Sequence, residues 1–222
     1  LLSLSLNDVF LLFKGLGITL GLFIGVIPFG IVFGSLLAML RVVNPFGLGL
    51  LASLWIELFR SVPLVLFLFF THYGLFPALV QHFPVLGPQP DIIVSCFLTF
   101  CVFEGAYFAE ILRGGILSVR ETEKDVAISL GLNAIQQWTL IYLPLAFQRS
   151  VPSLVNQSVT LLKDTSLASI VGVVEFSRAG EMVYERTYQY FEILALQAVI
   201  YFGLCLGLSR LAKRWEQTQP SP

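Results

Sequence analysis

The chain has 222 residues, of which 56% are hydrophobic, 14% aromatic and only 12% charged, with a formal net charge of -1, where soluble domains carry about 25% charged residues. That composition belongs to an integral membrane protein, and the scattered basic residues exclude nucleic acid as a partner. Since each crossing needs roughly 20 residues plus a connection, five or six spans are the ceiling, and residues 1–222 read as one all-α transmembrane domain.

The first residues, LLSLSLND, show neither a charged leader nor a small-residue cleavage site, so no removable signal peptide is expected. Phe10 to Leu40 is an apolar run ending at Arg41 and forms the first expected span. Gly17, Gly21 and Gly25, then Gly30 and Gly34 after Pro28, recur at four-residue intervals, so they are expected to line a close helix contact. Asn44-Pro45 marks a tight connection. The second apolar stretch runs from Leu48 to Phe76, with Pro63 expected to break it into an interfacial part and a crossing part. Glu57 and Arg60 lie three residues apart, so on a helix they share a face and are expected to pair; reading of substrate charge by Arg60 is the alternative.

His72 to Asp91 carries Pro77, Pro84, Pro88 and Pro90 and two histidines without helical period, and reads as an exposed loop. The third span is expected over Ile92 to Leu112. It contains Glu104, with Tyr107 and Phe108 on the same face, and ends with Glu110 and Arg113 at the i, i+3 spacing. A carboxylate at mid-membrane is expensive, so Glu104 is expected to face a cavity or a partner helix. Cys96, Cys101 and Cys205 have no metal-ligand spacing and read as small apolar side chains.

Glu121 to Pro144 is the one long polar stretch between apolar runs. Thr122 is expected to cap a short helix with Asp125 three residues on. Val126, Ala127 and Leu130 then form a small apolar stripe, and Gly131 sits where a helix ends with a left-handed residue. Asn133, with Gln136, caps a second helix running toward Pro144. Two short helices around a glycine corner, facing water, have the shape of a docking element.

The fourth span follows at Leu145 to Leu162 and is polar on one face through Asn156, Gln157, Ser158 and Thr160. It runs into Lys163, Asp164, Thr165 and Ser166. Adjacent helical residues point about 100° apart, so Lys163 and Asp164 cannot pair within one helix face: either the helix unwinds or each charge meets another group. A cation and an anion beside hydroxyl donors complement a free amino acid, which presents a carboxylate and an ammonium; a charge pair fixing helix packing is the alternative. Ser169 to Tyr190, with Glu175, Arg178, Glu181, Glu185 and Arg186, reads as a half-embedded or surface gate, and Phe191 to Leu211 as the last span.

With five spans, Arg41, then Arg113, Arg120 and Lys124, then Arg210, Lys213 and Arg214 fall on one side, which the positive-inside rule assigns to the cytoplasm together with the carboxyl terminus. No G-x-x-x-x-G-K-[ST], H-E-x-x-H or G-x-S-x-G pattern occurs, so no enzymatic activity and no cofactor of the chain's own are expected.

The polar stretch resembles the cytoplasmic signature loop of the membrane subunits of ATP-binding-cassette importers: Glu-Ala-Ala, three residues, Gly, nine residues, Ile, any residue, Leu-Pro. Here Asp125-Val126-Ala127, Gly131 and Ile141-Tyr142-Leu143-Pro144 keep the spacing, with Asp for Glu and Val for the first Ala. FRSVPLVLFLFF, GAYFAEILRGGI and LLKDTSLASIVGVVE are similar to the polar amino-acid branch of that family. The resemblance implies a type I ABC importer transmembrane domain in the bacterial inner membrane. It also implies a second permease subunit, identical or not, beside which the pathway lies, a separate ATPase subunit that uses ATP, and an extracytoplasmic substrate-binding protein. Residues 121–144 become the coupling loop, with Glu123, Asp125, Val126, Ala127 and Gly131 as candidate contacts. Lys163, Asp164, Thr165 and Ser166, with Glu104 and Gln157, become candidate substrate residues. The stretch PDIIVSCFLTFCVFEGAYFAEI resembles the acidic amino-acid members. A channel or secondary carrier not driven by ATP is the alternative, though it would have no use for a docking loop.

Overall fold

The computed structural model describes residues 4–44, 47–83, 90–119 and 121–217. Pro45, Pro84, Pro88 and Arg120, named above, lie outside the described residues, as do the side chains of Lys124 and Arg214. Helix α1 spans Leu6–Val43 and has 38 residues, a rise of about 57 Å against a hydrocarbon core of about 30 Å. Ser5 caps it reciprocally: its amide donates to the Asp8 carboxylate at 2.8 Å and its hydroxyl accepts from the Asp8 amide at 3.3 Å. Asn44, with φ of 49°, ends it in the left-handed region.

Helix α2 (Leu48–Ser61) stops at the expected break, and α3 (Leu64–Phe69) restarts behind Pro63. The chain then continues without interruption through a π turn (Phe70–Leu75) into α4 (Phe76–His82). Leu64–His82 is therefore one apolar helix of 19 residues, and the loop expected from His72 does not form there. The reason is local. Pro77 sits in the first turn behind the π turn, where the hydrogen-bond ladder has already shifted from i−4 to i−5, so the proline falls at a change of register rather than in the middle of a regular helix. Helix α5 (Ile92–Leu117) runs past the expected end at Leu112.

Helix α6 (Glu121–Ser129) and α7 (Ala134–Gln137) form the polar connection. A second π turn, Trp138–Tyr142, carries α7 directly into α8 (Leu143–Asp164), again with a proline, Pro144, in the first turn behind it. A 3-10 segment (Thr165–Val171) ends at Gly172, and α9 (Phe176–Thr187) and α10 (Tyr190–Gln217) complete the chain. Among the described residues, α1, Leu64–His82, α5 and Tyr190–Leu211 of α10 are long and apolar enough to cross a membrane. Helix α8 matches them in length, at 22 residues, and lacks only their apolarity.

Helices α1 and α5 pack along most of their length, α8 lies on α5, α10 lies on α8, and α9 bridges α1 and α10. Apolar burial drives little between helices in lipid, so close approach decides the packing. At Gly34 a side chain would lie 2.8 Å from the Gly105 carbonyl oxygen and 2.9 Å from the Ala109 amide nitrogen, both backbone atoms of α5. Among the described residues nothing lies within 4 Å of the corresponding positions at Gly17 and Gly21, so those two glycines of the expected stripe do not line the contact with α5. Val26, Leu68, Phe100, Leu161 and Leu162 form the centre of the core.

Candidate functional site

Two regions carry the polar chemistry: the α6–α7 connection and the seam between α5 and α8. Helix α6 begins at Glu121, which places Thr122 inside it rather than at its cap. Its far end is closed as expected. Gly131 adopts φ of 68°, its amide donates to the Ile128 carbonyl at 2.9 Å, and the Leu132 amide donates to the Ala127 carbonyl at 3.4 Å, the paired bonds of a glycine-terminated helix. Asn133 and Gln136 then cap each other: the Gln136 amide donates to Asn133 Oδ1 at 2.9 Å and the Asn133 amide to Gln136 Oε1 at 3.0 Å.

This corner sorts the candidate coupling residues. Ala127 is fully buried, while Val126, Ile128 and Leu130 are 56%, 61% and 65% exposed. Three branched apolar side chains stand out from this corner with no cover among the described residues. Ile128 belongs to it although the helical-stripe reading omits it. Asp125 is exposed, whereas Glu123 accepts an ion pair from Arg149 of α8, which also donates to the Ser118 carbonyl. Glu123 thus fastens the loop to the bundle.

At the seam, Glu104 of α5 is fully buried, and its Oε2 accepts from Gln157 Nε2 of α8 at 3.0 Å. Glu104 Oε1 has no hydrogen-bond partner among the described residues. Gln157 and Asp164 are two helical turns apart and share a face of α8, and Asp164 and Tyr107 lie within electrostatic range of Glu104. Lys163 points elsewhere: with Ser166, Ser169, Ser177, Glu181 and Tyr201 it lines a separate cavity of about 460 Å³ between the 3-10 segment, α9 and α10. Thr165 is fully buried and its hydroxyl donates to the Leu162 carbonyl at 2.7 Å. The α-helix tightens into the 3-10 form at Thr165, so the run Lys163 to Ser166 is split between two places instead of forming one site.

Charges below the seam rearrange the expected pairs. Glu110 accepts from Arg41 Nη1 at 2.7 Å and from Arg113. Arg60 lies 3.8 Å from Glu110, and Glu57 lies 3.8 Å from Arg41. No Glu57–Arg60 pair forms, because the facing carboxylate of α5 outcompetes the neighbour on the same helix. The segment from Ser169 to Tyr190, expected as a half-embedded or surface gate, holds a further buried carboxylate. Glu175 caps α9 through the amides of Ser177 and Arg178, both at 2.9 Å, and accepts from Thr19 of α1 at 3.0 Å and Tyr201 of α10 at 3.2 Å. Its place just ahead of an amphipathic run is the one sequence signal for this cap.

Comparison with known proteins gives the same frame. The profile of the family described as binding-protein-dependent transport system inner membrane component matches residues 30–217. The chain is 34% identical over 201 residues to the glutamate/aspartate import permease protein GltK of Escherichia coli O157:H7, covering 90% of this chain and 89% of that one. It is 31% identical over 207 residues to the glutamine transport system permease protein GlnP of Escherichia coli K12, covering 93% and 92%. Among solved structures, a crystal structure of an amino acid ABC transporter with histidines superposes with a TM-score of 0.83 at 26% identity over 98% of this chain and 100% of that one. The inward-facing MetNI methionine ABC transporter shares the fold with a TM-score of 0.71 at 18% identity, over 96% and 99%.

Proposed function

Because the chain belongs to the family of binding-protein-dependent transport system inner membrane components, we propose that it is the permease subunit of an ABC importer that carries polar amino acids into the bacterial cell. Glutamate, aspartate and glutamine are the substrate class, by likeness to GltK and GlnP. The observation that carries the reading is the α6–α7 corner. A glycine-closed, reciprocally capped turn holds Val126, Ile128 and Leu130 out into water, fastened to α8 by Glu123 and Arg149. That surface takes the ATPase subunit, which supplies ATP hydrolysis, since this chain has no phosphate-binding loop of its own. A second permease subunit completes the pathway and an extracytoplasmic binding protein delivers the substrate.

Substrate passes the α5–α8 seam, where the open Oε1 of Glu104 receives its ammonium group. Gln157 holds the carboxylate in place and Asp164 adds a second negative charge on the same side. Lys163 and Ser166 act one step away, in the cavity beside α9. Thr165 fixes the turn that separates the two stations.

In this reading the ends of α1 and α5 that carry Arg41 and Arg113 face the cytoplasm, together with the loop that Arg149 anchors and the carboxyl terminus. Reporter fusions after Arg120 and after Trp215 should therefore both register the cytoplasm, and the ATPase subunit should co-purify with the chain. Reporters on opposite sides, or a chain that assembles without any ATPase subunit, would contradict it.

A further inference from the structure

Arg60 is the one guanidinium in the cluster around Glu110 whose hydrogen-bonding capacity the fold leaves unused among the described residues. It stands in the last turn of the 14-residue α2, just ahead of the break at Pro63. Its neighbours leave its donors open. Both oxygens of Glu110 are already taken, Oε2 by Arg41 and Oε1 by Arg113. Arg60 comes no closer than 3.8 Å to that carboxylate and donates no hydrogen bond among the described residues. Among the described residues three guanidiniums thus share Glu110 and Glu57, a surplus of one positive charge, and Glu57 itself reaches only Arg41, at 3.8 Å.

The surplus is also aimed. The Arg60 guanidinium lies 5.7 Å from the centre of the Tyr107 ring, a contact that orients the planar group and leaves its edge free. Tyr107 is one turn along α5 from Glu104 and within electrostatic range of both Glu104 and Asp164. A negative station at Glu104 and Asp164 and a positive one at Arg60 therefore flank Tyr107. The side chain of Arg60 is 42% exposed, so the open edge is reachable.

We infer that Arg60 is a substrate-binding residue that receives a carboxylate group of the amino acid, at the opposite end from the ammonium held by Glu104. This rests on the amino-acid importer reading and deepens it by naming what discriminates for an anionic group. The carboxylate is either the α-carboxylate or that of an acidic side chain, and both offer guanidinium the same two-oxygen acceptor.

The test uses the complete transporter, with the ATPase subunit and the binding protein, in liposomes. Arg60→Gln and Arg60→Lys are compared with the native chain for assembly and for uptake of glutamate and glutamine. With assembly intact, Arg60→Gln should lower uptake at limiting substrate at least tenfold, and Arg60→Lys, which keeps the charge without the fork, should lose less. Equal losses for glutamate and glutamine identify the α-carboxylate; a loss confined to glutamate identifies the side chain. Native uptake by Arg60→Gln overturns the inference, as does loss of assembly in both variants, which would give Arg60 a packing role. If only Arg60→Gln fails to assemble, native discrimination by Arg60→Lys overturns it. A native complex that accumulates neither amino acid would instead remove the importer reading on which the inference stands.

Discussion

Glu104→Gln is expected to leave the protein at least as abundant in the membrane as the native chain while sharply lowering amino-acid uptake. The amide keeps the shape of the side chain and still accepts from Gln157, whose Nε2 lies 3.0 Å from Glu104 Oε2. Insertion should be easier, since an acidic side chain at mid-membrane costs on the order of 2.5–3.5 kcal/mol. Transport should suffer because the open Oε1 no longer offers a negative charge to the substrate ammonium. Removing one partner of a buried charged hydrogen bond costs about 2–5 kcal/mol, roughly thirtyfold or more in occupancy. Stability and activity thus move in opposite directions, which a packing role for Glu104 cannot produce. Quantified membrane levels beside initial uptake rates decide it, and unchanged uptake would remove Glu104 from the site.

Gly131→Val should uncouple the transporter. Gly131 holds φ of 68° at the junction of α6 and α7, and a left-handed conformation costs an L-residue roughly 1–2 kcal/mol, with a β-branched side chain among the worst tolerated. That strain is about five- to thirtyfold in an equilibrium, and it falls on the segment that presents Val126, Ile128 and Leu130. Among the described residues no atom lies within 4 Å of the added Cβ, so the cost falls first on the backbone of the corner rather than on a packing clash. Expected are normal insertion, weaker binding of the ATPase subunit and a fall of that order in substrate-stimulated hydrolysis. Gly131→Ala, free of β-branching, should lose less. Full coupling by Gly131→Val would mean that the corner is not part of the docking surface.

The α6–α7 corner is legible in the sequence because its bonds are local: Gly131, Asn133 and Gln136 bond within a few residues of themselves. The spans are legible for a similar reason, since length and apolarity are properties of the segment alone. What the sequence hides is the choice of partner. Glu57 and Arg60 satisfy the spacing rule for a pair on one helix, yet Glu110 of α5 competes for the guanidinium and only packing reveals it. Gly17 and Gly21 repeat the spacing of Gly30 and Gly34 but face away from α5. The prolines after His72 suggest a loop, and a π turn absorbs the first of them within a helix. Lys163 and Asp164 are adjacent in sequence and form no close ion pair, because neighbouring helical residues diverge and the helix tightens at Thr165, so that Lys163 lines the cavity beside α9 while Asp164 stays within electrostatic range of Glu104. Glu175 gathers donors from α1, α9 and α10, three elements that no local pattern brings together.

The central claim, that this chain is the membrane-spanning subunit of an ATP-driven amino-acid importer, is tested most directly by uptake of labelled glutamate or glutamine into sealed liposomes. The chain is reconstituted with its ATPase subunit, ATP or a non-hydrolysable analogue is enclosed, and the binding protein is added outside. Accumulation above the external concentration that requires both hydrolysable ATP and the binding protein is the predicted result. Flux that runs only down the gradient and ignores ATP and binding protein alike would contradict the account and make the chain a channel or carrier.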